Sequence, residues 1–222
     1  MNARLKNADL SLYLVTDEAI ATAAGHDLAE LVMRAVEGGV TAVQLREKNS
    51  TARAFLDTVW RVADTLPESV ALIVNDRVDV FLAARSRGVA VSGVHLGQSD
   101  LPPGIARELI GPQAILGLSA STLEQLTEAV EVGTGVDYVG IGALHATTTK
   151  QDAPPPLGLE RFRELAAASI RPSVAIGGVT RADIAPLRRA GAAGAAVVSA
   201  ICAAPDPREA ARILRSEWEA AS

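Results

Sequence analysis

The apolar residues of this chain fall into eight short runs, and polar residues or glycines follow each run. Such short runs, rich in Val, Leu, Ile and Ala, predict β-strands that are buried on both faces. The predicted strands are Leu12–Thr16, Ala42–Arg46, Ala71–Asn75, Gly93–Gly97, Ile115–Ser119, Tyr138–Gly142, Val174–Gly178 and Ala195–Ser199.

Segments with helical spacing separate these runs. Apolar residues recur three and four positions apart in sets such as Leu28, Leu31, Val32, Ala35 and Val36, then Phe55, Val59 and Val62, then Leu123, Leu126 and Val130. Thr122 stands where the last of these helices needs an N-cap. The alternation predicts the α/β class and a single (β/α)8 TIM barrel over residues 1–222, with residues 1–10 as an N-terminal extension.

Composition agrees with this architecture and narrows the functional classes. The length of 222 residues suits a barrel of about 200–250 residues, and the chain is 49% hydrophobic but only 3% aromatic. A net charge of −5 and few aromatic side chains argue against a nucleic-acid partner. Cys202 is the only cysteine, which excludes an intrachain disulfide and favours a cytoplasmic location. No segment of the sequence predicts a membrane span, and Met1–Asp9 does not resemble a signal peptide.

Two carboxylates close neighbouring strands of the predicted barrel. Asp76 follows the third strand and Asp100 follows the fourth. Each could be an ordinary helix cap or turn residue, but the carboxyl ends of barrel strands form one face, where the two would converge. Mg²⁺ prefers one or two carboxylates completed by substrate phosphate oxygens. The pair therefore predicts a Mg²⁺ site.

Cations and hydroxyls at the same face predict phosphate binding. Gln44, Arg46 and Lys48 alternate, so an extended segment would place all three on one face. A solvated ion-pair cluster with Glu47 is the alternative interpretation. Lys150 follows Thr147–Thr149 in a long segment from Ala143 to Gly158 that predicts a lid or binding loop. The last two predicted strands end in Ile176-Gly177-Gly178 and Val197-Val198-Ser199, where barrels often bind a monophosphate.

The three histidines predict no catalytic dyad or metal site. His95 lies within a predicted strand, where a core histidine with satisfied hydrogen bonds is the default interpretation. No spacing typical of a histidine metal site or of a Ser-His-Asp triad is present.

Taken in order, several segments resemble the thiamine phosphate synthase family. They are Tyr13-Leu14-Val15-Thr16-Asp17, Gln44-Leu45-Arg46-Glu47-Lys48, Val74-Asn75-Asp76-Arg77, His95-Leu96-Gly97-Gln98-Ser99-Asp100, Thr147-Thr148-Thr149-Lys150, Ile176-Gly177-Gly178 and Val198-Ser199-Ala200-Ile201. The resemblance implies that hydroxymethylpyrimidine diphosphate and hydroxyethylthiazole phosphate are joined to give thiamine phosphate and pyrophosphate, with Mg²⁺ as cofactor.

The resemblance also implies roles for single residues. Asp76 and Asp100 would bind Mg²⁺. Arg46, Lys48 and Lys150 would assist the departing diphosphate and, with Gln44 and Asn75, hold the pyrimidine substrate. Ser119 would lie near the pyrimidine ring. The thiazole phosphate would be held by Thr147, Thr149, Gly178, Val198 and Ser199.

The chain departs from the family pattern at a few positions. Ala143 and Ala146 replace prolines that the family often has, His145 replaces an aromatic or aliphatic residue, and Ser121 replaces a histidine found in many relatives. Related thiazole tautomerases are thought to use that histidine, and they tend to lack the aspartate pair. A tautomerase, a non-catalytic barrel that binds a phosphometabolite, and a sugar-phosphate isomerase are the alternatives. A homo-oligomer is compatible with every one of these hypotheses.

Overall fold

The computed structural model describes residues 8–147 and 155–221. Eight strands are assigned in these residues: β1 (Leu12–Val15), β2 (Ala42–Leu45), β3 (Ala71–Asn75), β4 (Gly93–Leu96), β5 (Ile115–Ser119), β6 (Tyr138–Ile141), β7 (Ser173–Ala175) and β8 (Gly194–Val197). Each is parallel to the next, and β8 pairs with β1 to close the barrel. The predicted (β/α)8 TIM barrel is confirmed.

Ten helices are assigned in the same residues. They are α1 (Glu18–Ala23), α2 (Leu28–Glu37), α3 (Ala52–Ala63), α4 (Val78–Ser86), α5 (Pro103–Ile110), α6 (Leu123–Glu128), α7 (Gly158–Ala168), α8 (Arg181–Arg189), α9 (Ser199–Cys202) and α10 (Pro207–Ala220). The Thr122 hydroxyl accepts the Gln125 N–H at 3.2 Å, which confirms the predicted cap of α6. None of these helices is long and apolar enough to cross a membrane.

Alternation along each strand divides the core into two layers. On β1, Leu12 and Leu14 pack outward against the helices, whereas Tyr13 and Val15 point into the barrel. The outer layer holds most of the buried apolar side chains, and each fully buried one contributes about 1.5–3 kcal/mol. Cys202 belongs to this layer and is fully buried, as expected for a small apolar residue. The narrower inner layer contains both tyrosines of the chain.

The amino-terminal end of the strands, here called the base, is closed by packing and by an ion pair. Leu10, in the predicted extension, is buried among the inner-layer residues. Asp137, which precedes β6, lies 2.8 Å from an Arg107 guanidinium nitrogen. The opposite end, here called the mouth, consists of the residues that follow each strand.

Four strands end one residue earlier than predicted, and two, β7 and β8, end two or more residues earlier. β7 stops at Ala175 because Gly177 and Gly178 have φ values of +93° and +66°, which an extended strand cannot include. β8 stops at Val197, since Val198 breaks the strand geometry and Ser199 opens the short helix α9. Because both strands are shorter than predicted, more of the backbone belongs to the loops at the mouth.

Candidate active site

Asp76 and Asp100 meet at the mouth, as predicted from their places after neighbouring strands. Asp76 follows β3 with a left-handed backbone (φ +59°), and its N–H donates to the His95 carbonyl at 2.8 Å. It is the one non-glycine residue with positive φ among those described. For Asp100, one carboxylate oxygen accepts the Gly97 N–H at 2.6 Å. Backbone strain of this kind persists where the surroundings impose it, often at functional sites.

The pKa of the Asp76 carboxyl is raised to about 6. Burial is the largest cause, followed by the hydrogen bond and the negative charge of Asp100, while Lys48 and Asn75 oppose the shift. Two carboxyl groups that share a site cannot both ionise without cost. Lys48 offsets the two carboxyl charges only in part, and a divalent cation with oxygen ligands would add positive charge there.

No group of three or more histidine, cysteine, aspartate or glutamate residues suited to a metal occurs within 8–147 or 155–221. A Mg²⁺ ion here would therefore depend on the two carboxylates, with substrate oxygens and water completing its ligands. This donor set is typical of magnesium bound together with a phosphate substrate.

Three polar side chains at the end of β2 have different surroundings. They are Gln44 within the strand and Arg46 and Lys48 after it. Gln44 is buried inside the barrel and donates from its amide nitrogen to the Tyr13 hydroxyl at 3.1 Å. Arg46 lies 3.8 Å from a carboxylate oxygen of Asp17 at the start of α1. Lys48 is exposed, and its charge lowers the pKa of Asp76. The strand ends at Leu45, so the extended segment that was predicted to place all three side chains on one face does not continue through Arg46 and Lys48.

Glu47 does not form the ion-pair cluster that was the alternative interpretation of this segment. Its Oε1 atom is buried without a hydrogen-bond partner among the described residues. Burial and the nearby charges of Glu18 and Asp17 raise the pKa of Glu47 to about 7, against the opposing charge of Arg46. The alternative interpretation of a solvated salt-bridge cluster therefore does not describe this segment.

The predicted thiazole-phosphate residues that the structure describes lie on the opposite side of the mouth, and they are Thr147, Gly178, Val198 and Ser199. The loop after β6 packs on the loop after β7, since His145 N–H donates to the Gly177 carbonyl at 3.0 Å. A Cβ at Gly178 would come within 2.9 Å of the His145 Cβ, so these loops require glycine for close approach. Thr147 is half-buried beside them. Val198 and Ser199 form the turn into α9.

Some predicted residues fall outside the part of the chain that the structure describes. These are Thr148, Thr149 and Lys150. His145, whose role the sequence left open, forms an ion-pair contact of 2.8 Å with Asp183 at the start of α8. Ser121, which replaces the family histidine, donates its hydroxyl proton to the Gly142 carbonyl at 2.6 Å.

A buried row of polar side chains crosses the barrel below the mouth. The Tyr13 and Tyr138 hydroxyls are 2.8 Å apart, and Tyr138 lies 3.0 Å from His95 Nδ1. His95 Nε2 lies 3.0 Å from the Ser119 hydroxyl. Burial raises the pKa of Tyr13 to about 12 and that of Tyr138 well above its ordinary value, so both keep their protons.

Sequence reasoning missed Tyr13, Tyr138 and Gln98, and it treated His95 as a core residue. Gln98 donates from its amide nitrogen to the Ser119 carbonyl at 2.5 Å. The only usable signal was the placement of both tyrosines within strands, because a buried tyrosine hydroxyl requires a partner. The partners lie 125 residues apart in sequence, which no local pattern reveals.

Comparison with known proteins accords with this geometry. A family model described as thiamine monophosphate synthase matches residues 12–201. The thiamine-phosphate synthase of Azorhizobium caulinodans is 48% identical over 209 residues, covering 94% of each chain. That of Psychrobacter sp. is 44% identical over 216 residues, covering 96% of this chain and 98% of the relative.

Solved structures agree at the level of the whole fold. Thiamine phosphate pyrophosphorylase from Pyrococcus furiosus superposes with a TM-score of 0.84 at 35% identity, covering 97% of this chain and 98% of that one. A 3-hexulose-6-phosphate synthase, with a TM-score of 0.70 at 20% identity, shares the fold alone. The chain belongs to the thiamine monophosphate synthase family.

Proposed function

We propose that this protein is a transferase that joins hydroxymethylpyrimidine diphosphate and hydroxyethylthiazole phosphate, giving thiamine phosphate and pyrophosphate. Its family membership and its relatives of nearly equal length support this activity. In the structure, the supporting observation is the charge arrangement at the mouth. Asp76 lies beside Asp100, and Lys48 is near enough to lower the pKa of Asp76.

The reaction needs charge stabilisation more than proton transfer. The bond between the pyrimidine methylene carbon and the diphosphate oxygen breaks, and the electron pair leaves with the diphosphate. The electron-rich aminopyrimidine stabilises the cationic carbon. The thiazole nitrogen then forms the new C–N bond with its own lone pair, so no proton has to be removed from it. A nucleophile-and-base pair is therefore not required, which agrees with the absence of a Ser-His-Asp pattern from the sequence.

Asp76 and Asp100 would hold the Mg²⁺ ion. When bound, it would neutralise charge on the diphosphate and make that group a better leaving group. The pair fits such an ion because its own charges are close and only partly offset by Lys48. Both residues stand at strand ends, where backbone geometry fixes them before substrate arrives.

Cations and hydrogen-bond donors would hold the two substrates on opposite sides of the mouth. Arg46, Lys48 and Lys150 would contact the diphosphate and stabilise its growing charge. Gln44, Asn75 and Ser119 would complete the pyrimidine side. The thiazole phosphate would lie against the group formed by Thr147, Thr149, Gly178, Val198 and Ser199. Holding the two reactants together supplies much of the expected rate enhancement.

The direct test supplies purified protein with both substrates and Mg²⁺, then measures thiamine phosphate and pyrophosphate together. We expect equal amounts of the two products and a nearly complete loss of both in excess chelator. Folded protein that forms neither product would contradict the proposal. Mg²⁺-independent binding of the thiazole phosphate without turnover would instead support the non-catalytic barrel.

The tautomerase alternative has little support in the geometry. Ser121 stands where a tautomerase is thought to use a histidine, and its hydroxyl proton is already donated to the Gly142 carbonyl. Isomerisation of the thiazole without pyrimidine diphosphate present is the reaction that would favour it.

Location and assembly stay predictions. The single cysteine is compatible with a cytoplasmic location, which fractionation of cells that express the protein would test. Light scattering would give the oligomeric state. Exposed apolar side chains of Leu101, Ile105 and Leu109, at and before the outer face of α5, are the first positions to change if a dimer is found.

A further inference from the structure

Five polar side chains form a continuous row across the inside of the barrel. In order along the row, they are Gln44, Tyr13, Tyr138, His95 and Ser119, and each comes from a different strand. The two ends of the row, Gln44 and Ser119, are predicted to contact the pyrimidine. The successive distances are 3.1, 2.8, 3.0 and 3.0 Å. All but Ser119 are buried, and Ser119 is half-buried at the mouth.

The donors and acceptors in this row define a direction. The Gln44 amide nitrogen can only donate, so the Tyr13 oxygen accepts there. Tyr13 has one proton, and the Tyr138 oxygen is its acceptor at 2.8 Å. Tyr138 then donates to Nδ1 of His95, which puts the imidazole proton on Nε2. His95 donates that proton to the Ser119 oxygen.

The opposite direction satisfies the same atoms less well. If Tyr138 donated to Tyr13, the Tyr13 oxygen would accept from two partners. Its own buried proton would then have no acceptor in the part of the chain that the structure describes. A buried donor without a partner is destabilising, so the first direction is favoured.

We propose that Tyr13, Tyr138 and His95 are positioning residues that orient the Ser119 hydroxyl proton toward the pyrimidine substrate. Because Ser119 accepts from His95, its own proton is left for a hydrogen-bond acceptor at the mouth. The Gln44 carbonyl oxygen is left for a donor, since its nitrogen is used by Tyr13. This inference rests on the proposed function for the identity of the ligand.

An aminopyrimidine matches these two ends. Its ring nitrogens are acceptors and its exocyclic amino group is a donor. A Ser119 donor and a Gln44 acceptor on opposite sides would therefore hold the ring in one orientation and direct the reacting methylene group toward the thiazole. A phenylalanine at either tyrosine position would fill the same space without this control of direction.

The first experiment measures the tautomer of His95 in the intact protein. The chain has three histidines, so ¹⁵N-histidine labelling gives few ring signals, and His95→Gln identifies the relevant pair. We expect neutral His95 with its proton on Nε2. Tyr138→Phe should abolish this preference. Gln44→Glu places only hydrogen-bond acceptors beside Tyr13, so Tyr13 would donate to the new carboxylate and the direction of the row would reverse. The ring proton of His95 should then move to Nδ1.

The second experiment separates positioning from packing by steady-state kinetics. Tyr138→Phe should raise KM for the pyrimidine diphosphate about 3–10-fold, the loss expected for one hydrogen bond, with KM for the thiazole phosphate unchanged. In a Ser119→Ala background the same change should have no further effect. Ser173→Ala is the matched control, because it removes a buried hydroxyl near the base of β7 that bonds the Arg171 carbonyl.

The outcomes distinguish this inference from the proposed function. Active wild-type protein with the His95 proton on Nδ1 would overturn the direction of the row alone. So would equal effects of Tyr138→Phe with and without Ser119, or no effect on either KM. Wild-type protein that forms no thiamine phosphate would overturn the proposed function, and the pyrimidine assignment with it.

Discussion

At its base the barrel buries Asp137 against Arg107, whereas at its mouth it places Asp76 beside Asp100. Asp137 is fully buried and accepts from the Leu116 N–H and from Arg107, each at 2.8 Å. Arg107 also donates to the carbonyls of Gly111, Ala114 and Gly135. Opposite charge and backbone groups from the protein itself therefore compensate the buried carboxylate at the base.

The mouth compensates its carboxylates less completely. Burial and a second carboxylate raise the pKa of Asp76 to about 6, although Lys48 and Asn75 oppose the shift. In the segment after β2, Glu47 has a buried oxygen without a hydrogen-bond partner in the described structure. Asp137 is therefore a buried charge that the protein itself compensates. The charges of Asp76 and Asp100 need further compensation, which a ligand would supply. Four predictions test this distinction, in decreasing order of expected free-energy change.

The largest effect is expected for Asp137→Asn at the base. Arg107 would keep its charge in a site where only 11% of its side chain is exposed, without a carboxylate to offset it. Removing one member of a buried ion pair costs about 3–5 kcal/mol, so chemical denaturation should show a loss of that size. Asp79→Asn, which removes an exposed carboxylate that pairs with Arg77, is the control. A base variant as stable as this control would show that the ion pair contributes little.

The second prediction concerns Asp76→Asn and Asp100→Asn at the mouth. Each should lower turnover by about 10²-fold or more at limiting Mg²⁺, as loss of charge stabilisation at a metal centre does. Neither should destabilise the fold, because each removes one of two like charges. Turnover of the Asp79→Asn control should be unchanged. Normal turnover in both mouth variants would contradict the metal assignment.

The sequence predicted the barrel well because its signals are local. In β3 and β5 every residue except the last is apolar, as expected for strands that are covered on both faces. The helix α2 shows its buried face in the spacing of Leu28, Leu31 and Val32. The meeting of Asp76 and Asp100 followed from topology, since neighbouring parallel strands end at one face.

The remainder depended on contacts that local sequence does not encode. Gly177 and Gly178 were included in a strand, but both adopt left-handed backbone where two loops approach closely. The row through Tyr13 and Tyr138 joins strands whose tyrosines are 125 residues apart in sequence. The sequence left open an ion-pair cluster with Glu47 as an alternative, and only the fold shows that Arg46 lies near Asp17.

The third prediction tests whether Arg46 contributes to substrate binding and turnover or to the stability of the fold. Arg46→Ala should lower kcat/KM for the pyrimidine diphosphate about 10–30-fold, the value of a charge-assisted hydrogen bond to phosphate. Only 15% of the Arg46 side chain is exposed, but its contact with Asp17 is long, at 3.8 Å, so the free energy of unfolding should change less than in Asp137→Asn. Arg34→Ala, which breaks a surface ion pair of 3.0 Å with Asp206, is the control. Equal kinetics in the two variants, with stability lost only in the first, would assign Arg46 a structural role.

The fourth prediction uses Glu47, a half-buried carboxyl at the mouth with one oxygen that has no hydrogen-bond partner among the described residues. Its pKa is about 7 in the folded protein against an ordinary value of 4.5, so the folded state binds more protons between these pH values. The stabilising contribution of the protonated group is fully present below about pH 4.5 and is lost as pH rises through 7. Stability, measured without substrate or metal, should therefore decrease across this window.

Glu47→Gln should remove the part of that pH dependence which Glu47 contributes and leave the part that comes from Asp76, while keeping the shape of the side chain. At pH 8 we expect a gain of about 1 kcal/mol, after allowing for solvent screening of a half-exposed group, or about 2–4 °C in Tm. Glu108→Gln on the exposed side of α5 should leave the wild-type pH profile intact. If the stability of Glu47→Gln decreases between pH 4.5 and 7 as steeply as that of the wild type, the protein already compensates the charge of Glu47. The contrast with the base would then be confined to the aspartate pair.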